Sequence, residues 1–475
     1  MKIEQFIVEG LGHQSYCIVD TKSGKAVIVD PRRDIDVYLQ AAQRMQAHIT
    51  DILETHIHND YISGSRELIA RTGATLHASA LDPLHYAYQP VHEGDHFSVG
   101  LFTFATLATP GHTPEHVSYL LHEPGKDIPS ALFSGGSLLA ANAGRTDLLG
   151  KAMMMTLTRQ QYHSLRRLLD MLPGQVHVYP THGAGSFCMS TACDSARSTT
   201  IAQERLVNPA ALAQDEHEFV QRQIAGYSEY PAYYRYMGPT NREGPRVLGG
   251  IPTPPALSAQ AVHKWMRRGM PLVDGRRRDT FARGHIPGSL NIELDQTFAT
   301  YVGWTLPFNV PLMILIEDEA GRREAVVQLL RIGYEQVEGY VDGGLQAWQA
   351  AALPTTQLAA MDLATFHTRW SHHERFLVLD VRRSDEWRDG HIPDAWHIHV
   401  GDLAQRMHKL PQDQPIVTLC RTGQRAEIAA SMIAATGREV TAVRDGMEQW
   451  LQQGWPSITE TSGPAERQDH THAHP

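Results

Sequence analysis

The chain has 475 residues and a formal net charge of −10, with 42% hydrophobic and 20% charged residues. This is the composition of a globular protein of roughly two to four domains. The acidic balance and the lack of a basic run argue against a nucleic-acid-binding surface. No apolar stretch reaches the roughly 20 residues that cross a bilayer, and the N-terminus lacks a signal-peptide pattern, so we expect a cytoplasmic protein without a membrane segment.

Four cysteines are too few for a disulfide scaffold in a chain of this length. Cys17 lies in an apolar segment and is expected in the core, whereas Cys193 has no assigned role. The 27 histidines include those of a polar segment over 460–475, for which we expect disorder. Solvated residues with incidental metal affinity are the simple interpretation of this tail, and metal delivery is the alternative.

Residues 1–200 alternate short apolar segments with turn residues, which predicts strands and loops with helices between them. Strands are predicted over 5–8, 15–19, 25–30, 49–54, 101–108, 117–121 and 176–179, and a helix over 36–45. The polar, tyrosine-rich segment over 195–245 is expected to be helical. Glycine and proline interrupt any regular element over 249–255, which marks a linker.

Beyond the linker, two segments of roughly 100 residues share landmarks in the same order. Asp-x-Arg follows an apolar strand at 274–276 and 380–382, and Gly-His-Ile-Pro follows at 284–287 and 390–393. Alternating strands and helices in each copy predict a parallel sheet flanked by helices. The predicted limits are 1–245 for an N-terminal domain, 256–355 and 360–459 for the two repeats, and 460–475 for the tail.

The second repeat places a cysteine between a predicted strand and a predicted helix, in Cys420-Arg421-Thr422-Gly423-Gln424-Arg425. At the C-terminal end of a parallel strand, Cys420 faces the open crevice of the sheet. The N-terminus of the following helix favours an anion, and Arg421 and Arg425 add positive charge. The loop therefore suits attack on a sulfane sulfur, storage of a persulfide and its release to an acceptor.

This loop resembles the active loop of the rhodanese family, Cys-Arg-x-Gly-x-Arg, and the shared landmarks match that family as well. The resemblance covers about 250–459. It implies tandem rhodanese domains with Cys420 as the catalytic sulfur carrier. The first repeat has Asp318 opposite Cys420 and three carboxylates in its loop, so we expect a catalytically silent structural or docking domain.

Histidines follow three predicted strands of the N-terminal domain. His56 and His58 lie two residues apart, close to Asp60, and His112 and His182 follow later strands. Side chains two apart on an extended backbone point the same way, and histidines on strand-end loops converge readily on one point. Imidazole suits zinc and iron, so the pattern predicts a metal site.

This pattern resembles the metallo-β-lactamase fold, which implies an αββα sandwich ahead of the two rhodanese-like α/β domains. Within that fold the chain is most similar to persulfide dioxygenases, which oxidise glutathione persulfide with O₂ at a mononuclear non-haem Fe(II). Some bacterial members are fused to rhodanese domains. The resemblance implies that His56 and His112 are iron ligands. Gly136 replaces the aspartate ligand of the family, and Tyr61 replaces its histidine after Asp60.

The missing carboxylate bears on the choice of metal. A dinuclear zinc hydrolase needs it as a bridge, so we do not expect such a centre. Three alternatives stay open. His56, His58 and His112 would form a three-histidine face for Fe(II), with His182 or Asp60 nearby. The same face would hold zinc with bound water, or the pocket holds a thiol or persulfide without any metal.

Three further residues are candidates for substrate binding. Arg145, together with Asp147, matches the family segment after the ligand strand, although a structural ion pair is the simpler interpretation. Cys188 lies six residues after His182. It would relay sulfur, or it fills space in the core as a small apolar residue. Tyr61 is the third candidate, beside the metal loop.

Together these features predict a sulfur-metabolism enzyme. The N-terminal metal site would oxidise a low-molecular-weight persulfide such as glutathione persulfide, and Cys420 would transfer sulfur to or from its product, with thiosulfate as a further substrate. Tethering two sites for the same reactive sulfur raises effective concentration. The alternatives are a sulfurtransferase whose N-terminal domain is a metal-free persulfide-binding or oligomerisation module, and a sensor that uses Cys420 and Cys188. The resemblance also implies a homo-oligomer.

Overall fold

The computed structural model describes residues 1–189 and 196–459. The first of two compact units combines Met1–Gly275 with Ile292–Ala351, and the second combines Arg276–Asn291 with the chain from Ala352 onward. The first repeat is therefore divided, because its segment Arg276–Asn291 groups with the second repeat. Within the described ranges, no helix is both long enough and apolar enough to cross a membrane. The predicted tail and Cys193 lie outside the described residues.

Two six-stranded sheets form the N-terminal domain. In spatial order, the first sheet contains β1 (Lys2–Val8), β2 (His13–Asp20), β3 (Lys25–Val29), β4 (His48–Leu53), β5 (Thr75–Ser79) and β6 (Gln89–Val91). In chain order, the other strands are β7 (His96–Val99), β8 (Phe102–Ala108), β9 (Val117–His122), β10 (Ala131–Gly135), β11 (Leu138–Leu139), β12 (Asn142–Ala143), β13 (His177–Pro180) and β14 (Thr199–Thr200). The second sheet has the order β14-β13-β10-β9-β8-β7, and β11 pairs with β12 as a separate ribbon.

The helices of this domain cover the outer faces of the two sheets. They are α1 (Asp36–Arg44), α2 (Ser65–Thr72), α3 (Lys151–Met171), α4 (Ile201–Val207), α5 (Pro209–Leu212), α6 (Glu216–Ala225) and α7 (Tyr234–Glu243), with a 3-10 turn at Glu9–Leu11. Buried side chains such as Val29 of the first sheet and Phe133 of the second pack between the sheets. Tyr38 of α1 packs on the outer face of the first sheet, and Leu165 of α3 packs on that of the second. The predicted αββα sandwich is confirmed.

The first repeat has short parallel strands with helices between them. Its elements are β15 (Ala256–Leu257), α8 (Ala259–Met266), β16 (Leu272–Asp274), α9 (Arg278–Arg283), β17 (Leu290–Asn291), α10 (Phe298–Thr305), β18 (Leu312–Leu315), α11 (Glu319–Arg331), β19 (Val337–Val341) and α12 (Gly344–Ala350). Its strands in the first unit have the order β15-β19-β18-β16 and pair in parallel.

The second repeat forms a five-stranded parallel sheet, as predicted. Its elements are β20 (Ala359–Met361), α13 (Leu363–Ser371), β21 (Leu377–Asp380), α14 (Ser384–Asp389), β22 (Trp396–His397), α15 (Leu403–Arg406), a 3-10 turn at Met407–Lys409, β23 (Ile416–Cys420), α16 (Gln424–Ala434), β24 (Val440–Gly446) and α17 (Met447–Gln452). The strand order is β20-β24-β23-β21-β22. Asn291 joins this unit through its backbone N–H, which donates to Ser431 Oγ at 3.1 Å.

Within the first unit, α11 of the first repeat packs against the N-terminal domain. The helix ends at the buried Arg331, whose Nε and Nη2 donate to the two carboxylate oxygens of Asp34, each at 2.8 Å. The backbone N–H of Ile62 donates to the Arg331 carbonyl at 2.7 Å. The first repeat therefore holds the end of the loop that carries His56 and His58.

Candidate functional site

Three buried histidines from separate loops converge at one edge of the N-terminal sandwich. His56 follows β4, His112 follows β8 and His182 follows β13. One ring nitrogen from each lies within 4.8 Å of the others. The Nε2 atoms of His56 and His182 are 3.5 Å apart. The strand-end loops thus bring together the side chains that the sequence pattern singled out.

Hydrogen bonds fix which nitrogen of His56 and His112 is free. The Thr55 hydroxyl donates to Asp30 at 2.8 Å and so accepts from His56 Nδ1 at 2.9 Å. His112 Nδ1 donates to the Arg145 carbonyl at 2.7 Å. Each ring therefore keeps a lone pair on Nε2, and His112 Nε2 is buried without a partner among the described residues. This is the arrangement in which metal-binding histidines are held.

Burial keeps both of these rings neutral. Desolvation, strengthened by the neighbouring His182, lowers the pKa of His112 to about 3. Desolvation and the surrounding imidazoles lower the pKa of His56 well below its ordinary value. Neutral imidazole is the form that binds a metal, so these two side chains need no deprotonation to act as ligands.

His182 is paired with a buried carboxylate. Its Nδ1 lies 3.3 Å from Asp60 Oδ2, and both side chains are fully buried. Burial alone would raise the pKa of Asp60, but the interaction with His182 lowers it below the ordinary range. Neither carboxylate oxygen of Asp60 has a hydrogen-bond partner within the described residues. A buried carboxylate in this state is stabilised by a nearby cation, and a histidine backed by a carboxylate is a common metal ligand.

The predicted face of His56, His58 and His112 is not the set that converges. One nitrogen of His58 instead lies within 4.8 Å of His182 and Asp60, in a second group of three. His58 Nε2 lies 2.8 Å from Glu54 Oε2 and 3.3 Å from Asp30 Oδ1. Burial alone would lower the pKa of His58, but these two carboxylates raise it to about 10. His58 is therefore held as a cation in a buried ion cluster, and in that state it has no lone pair for a metal.

The space around Gly136 is filled by histidine rings. A Cβ atom at Gly136 would lie 2.2 Å from Cδ2 of His112. The backbone N–H of Gly136 donates to His116 Nε2 at 2.9 Å. The ring of His116 stacks on His56, with ring centroids 5.0 Å apart. The sequence interpretation missed His116, although its place four residues after His112 was a signal.

Tyr61 is part of the support of this site. Its hydroxyl donates to the Asp30 carbonyl at 3.1 Å. Its ring lies 4.0 Å from that of His13, a second histidine that the sequence interpretation missed. Tyr61 and His13 are both fully buried, so they pack behind the metal loop. Substrate binding by Tyr61 stays a prediction that this position does not favour.

Arg145 lies in a network of fixed partners. Its guanidinium donates to Asp147 at 2.7 and 2.8 Å and to the carbonyls of Phe187 and Ser228, each at 2.9 Å. The Tyr230 ring stacks against it, 4.6 Å from centroid to Cζ. These contacts favour a structural ion pair, and they fix the carbonyl that orients His112.

Cys188 lies directly behind this network. The thiol is fully buried, and burial raises its pKa well above the ordinary value. Its backbone carbonyl accepts from the Arg145 N–H at 2.8 Å. A protonated thiol is a poor nucleophile, so the geometry favours the core interpretation over a sulfur relay. Cys17 is fully buried in β2, as predicted.

The second candidate site is the loop between β23 and α16. Cys420 ends the strand and is 1% exposed, and the N–H of Gly423 donates to its Sγ at 3.1 Å. Gly423 has a φ of +93°, and a Cβ there would lie 1.9 Å from the Arg444 carbonyl oxygen. The loop therefore requires glycine at this position and presents backbone donors to the sulfur.

Both arginines of the loop are paired with carboxylates. Arg421 Nε lies 3.2 Å from Glu448 at an exposed position. Arg425 donates to the two oxygens of Glu386 at 2.5 and 2.8 Å. The predicted positive charge is thus largely compensated, and the backbone N–H of Gly423 donates to the sulfur.

The first repeat has a carboxylate in the equivalent position. Asp318 Oδ1 accepts from the Gly321 N–H at 2.7 Å and caps α11. This contact matches the one that Gly423 makes with Cys420. The carboxylate therefore occupies the place of the sulfur, and the catalytic silence of this domain stays a prediction.

Comparison with known proteins supports this interpretation of the fold. The rhodanese-like domain family matches residues 258–351 and 365–453, and the metallo-β-lactamase superfamily matches residues 9–182. Human (Homo sapiens) persulfide dioxygenase ETHE1, mitochondrial, is 30% identical over 214 residues, which is 44% of this chain and 74% of that protein. A hydroxyacylglutathione hydrolase of Pseudomonas putida is 33% identical over 167 residues, 35% of this chain and 60% of that protein.

A solved structure extends the likeness beyond the first domain. The crystal structure described as a metallo-β-lactamase from Staphylococcus aureus subsp. aureus COL has a TM-score of 0.64 and 28% identity, and it covers 72% of this chain and 98% of that one. The chain therefore belongs to the metallo-β-lactamase superfamily, in the family of ETHE1-type persulfide dioxygenases, and is an enzyme of sulfur metabolism with tandem rhodanese-like domains.

Proposed function

We propose that Cys420 carries sulfane sulfur as a persulfide and that the N-terminal histidine site oxidises a low-molecular-weight persulfide. The observation that carries the first half is the contact of 3.1 Å between the Gly423 N–H and Cys420 Sγ, at the N-terminus of α16. A sulfur anion in this position gains a hydrogen bond and a favourable helix dipole.

Sulfur transfer at Cys420 needs two displacements. The thiolate attacks the outer sulfur of thiosulfate, a new S–S bond forms, and the S–S bond of thiosulfate breaks as sulfite leaves with the electron pair. An acceptor thiolate or sulfite then attacks the terminal sulfur of the Cys420 persulfide. The S–S bond to Cys420 breaks, and the thiolate is regenerated. No other group of the loop must change its charge.

In the N-terminal domain, His56, His112 and His182 would hold the metal, for which we propose Fe(II). When bound, Fe(II) would supply the oxidation of the outer persulfide sulfur by O₂, with water, to sulfite and the free thiol. The imidazoles offer lone pairs, and all three side chains are buried. Asp60 adds a negative charge behind His182 at 3.3 Å. The chain thus provides nitrogen ligands and a compensating charge in a dry environment.

The two halves act on the same sulfur. Sulfite, which the first half would form, accepts sulfur from the Cys420 persulfide and becomes thiosulfate, and the reverse transfer consumes thiosulfate. Glutathione persulfide is the proposed substrate of the first half, since the human relative is a persulfide dioxygenase by name. We also propose a cytoplasmic location and a homo-oligomeric state.

Two assays on the Fe(II)-loaded full chain test the proposal. Glutathione persulfide should cause oxygen uptake that His112→Ala abolishes. Sulfur transfer from thiosulfate to cyanide should disappear in Cys420→Ser and persist in His112→Ala. Loss of sulfur transfer in both variants, or its persistence in Cys420→Ser, would contradict the assignment of Cys420.

A second function is favoured by one observation, the glycine at position 136. A site without the family's carboxylate ligand is consistent with a sulfurtransferase whose N-terminal domain only binds persulfide or mediates oligomerisation. Intact sulfur transfer without any persulfide-dependent oxygen uptake would establish this second function. Oxygen uptake that depends on His112 would exclude it.

A further inference from the structure

We propose that His56, His112 and His182 are the complete set of protein ligands of the metal, and that Gly136 is the residue that makes room for His112. The inference rests on the proposed metal function of the N-terminal domain. On this assignment, Gly136 does not mark a defective site. The metal would instead be bound by three neutral imidazole nitrogens. His182 would take the third position that a carboxylate holds in the family.

The three nitrogens are already in place. The Nε2 atoms of His56 and His182 are 3.5 Å apart, and a nitrogen of His112 is within 4.8 Å of both. Three imidazole nitrogens grouped in this way are a common ligand set for a divalent ion. His112 Nε2 has no hydrogen-bond partner among the residues that the structure describes, although it is buried. An unpaired buried nitrogen is costly unless a ligand takes its lone pair.

The position of His112 explains the glycine. Any Cβ at position 136 would lie 2.2 Å from Cδ2 of this ring. The ring has little freedom to move, because its Nδ1 donates to the Arg145 carbonyl at 2.7 Å. The Gly136 N–H is fixed in turn by His116 at 2.9 Å. An aspartate at position 136 would therefore displace the ligand that it is supposed to assist.

The positions of His58 and of the buried carboxylate of Asp60 are consistent with the same ligand set. His58 Nε2 lies 2.8 Å from Glu54 Oε2, and the group that contains both His56 and His112 has His182 as its third histidine. Asp60 lies 3.3 Å from His182 Nδ1, where it orients the ring without occupying the metal position. Asp60 is thus a positioning residue. Three neutral ligands leave the full charge of a divalent ion for an exogenous anion, and a persulfide or thiolate sulfur is such an anion.

Cobalt binding tests the ligand set without any measurement of turnover. Full-length chains would be titrated with Co(II) alone, with competition by a chelator, and with the d–d absorption bands as the signal. His470, His472 and His474 would be replaced by Asn in every sample, so that the tail does not compete. Circular dichroism and thermal midpoints of the metal-free variants would show that each one is folded.

We expect one Co(II) per chain and a loss of affinity on the order of 100-fold in His182→Ala. His58→Gln should keep its affinity within about threefold, because Gln still donates to Glu54. Gly136→Ala should bind at least tenfold more weakly than the parent chain, and Gly136→Asp should bind no more tightly than Gly136→Ala.

Tighter binding by Gly136→Asp than by the parent chain would overturn the inference, since it would restore a lost ligand. Unchanged affinity in His182→Ala would overturn it as well, and an equal loss in His58→Gln would favour the other histidine set. If His182→Ala does not fold, the Co(II) affinities of the two Gly136 variants test the inference instead. A chain that binds Co(II) with these ligands and shows no oxygen uptake as the Fe(II) form would keep the ligand set and refute the proposed oxidation.

Discussion

The ion pair between Arg331 and Asp34 is the contact by which the silent repeat should stabilise the metal-bearing domain. Two hydrogen bonds of 2.8 Å join the side chains, which are 10% and 11% exposed. Arg331→Ala leaves the buried carboxylate with Arg32 at 3.1 Å as its remaining partner. Removing one member of a buried ion pair lowers the free energy of unfolding by about 3–5 kcal/mol. Because Asp34 keeps Arg32 as a partner, we expect a loss of about 3 kcal/mol.

Thermal unfolding of the metal-free chain measures this loss. For a large unit about 2 °C corresponds to 1 kcal/mol, so the midpoint of the first unit should fall by about 6 °C. Arg323→Ala is the matched control, because Arg323 lies on the same helix and pairs with Asp36 at 3.6 Å, with both side chains more than half exposed. An exposed pair contributes less than about 1 kcal/mol, so the midpoint should move by less than about 2 °C.

Hydrogen exchange gives a second, local measurement. The Ile62 N–H donates to the Arg331 carbonyl at 2.7 Å, next to the loop of His56 and His58. Loosening the end of α11 should therefore increase exchange at Ile62 in Arg331→Ala and leave it unchanged in Arg323→Ala. Equal effects of the two substitutions on midpoint and exchange would refute the idea that the buried pair supports the metal loop.

The remaining predictions concern the sulfur-carrier loop. Burial alone would raise the pKa of Glu386, but Arg425 lowers it to about 2 from an ordinary 4.5. The pair therefore makes its full contribution to the free energy of unfolding, about 3 kcal/mol, above about pH 5. This contribution is lost as the pH falls towards about 2. The stability difference between the parent chain and Glu386→Gln, measured by denaturant titration, should shrink over this range, and a constant difference would contradict it. Gly423→Ala should abolish sulfur transfer while the fold persists, because its Cβ would lie 1.9 Å from the Arg444 carbonyl and displace the donor to Cys420. Activity near the parent level would refute the role of this N–H.

The fold and the convergence of residues were predictable where the signal is local. Alternating apolar residues specify strands such as β1 and β3, whose inward side chains have to be buried, and the two repeats carry the same landmarks in the same order. His56, His112 and His182 each follow a strand, and strand ends of one sandwich edge lie close together. The contrast between Cys420 and Asp318 is also a local signal, since each residue lies where a strand leads into the following helix.

The partners of the charged side chains were not predictable, because they come from distant parts of the chain. His58 was expected to share a face with His56 on extended backbone, but the segment between them forms no strand. The carboxylate of Asp30, from the end of β3, reaches it at 3.3 Å. Arg425 is separated from Glu386 by 39 residues. No spacing rule connects such pairs. The carboxylates around His58 favour its protonated form, whereas Glu386 compensates the charge of Arg425.

The first repeat has the rhodanese-like fold with Asp318 where the second repeat has Cys420. Asp318 accepts from the N–H of Gly321 at 2.7 Å, so the carboxylate satisfies the donor that faces sulfur in the second repeat. This cap fixes the beginning of α11, and the ion pair of Arg331 with Asp34 fixes its end. Because both ends of the helix are held, the carbonyl that accepts from the Ile62 N–H is held in place as well. The loss of the thiol therefore leaves, in this repeat, a rigid support for the metal loop.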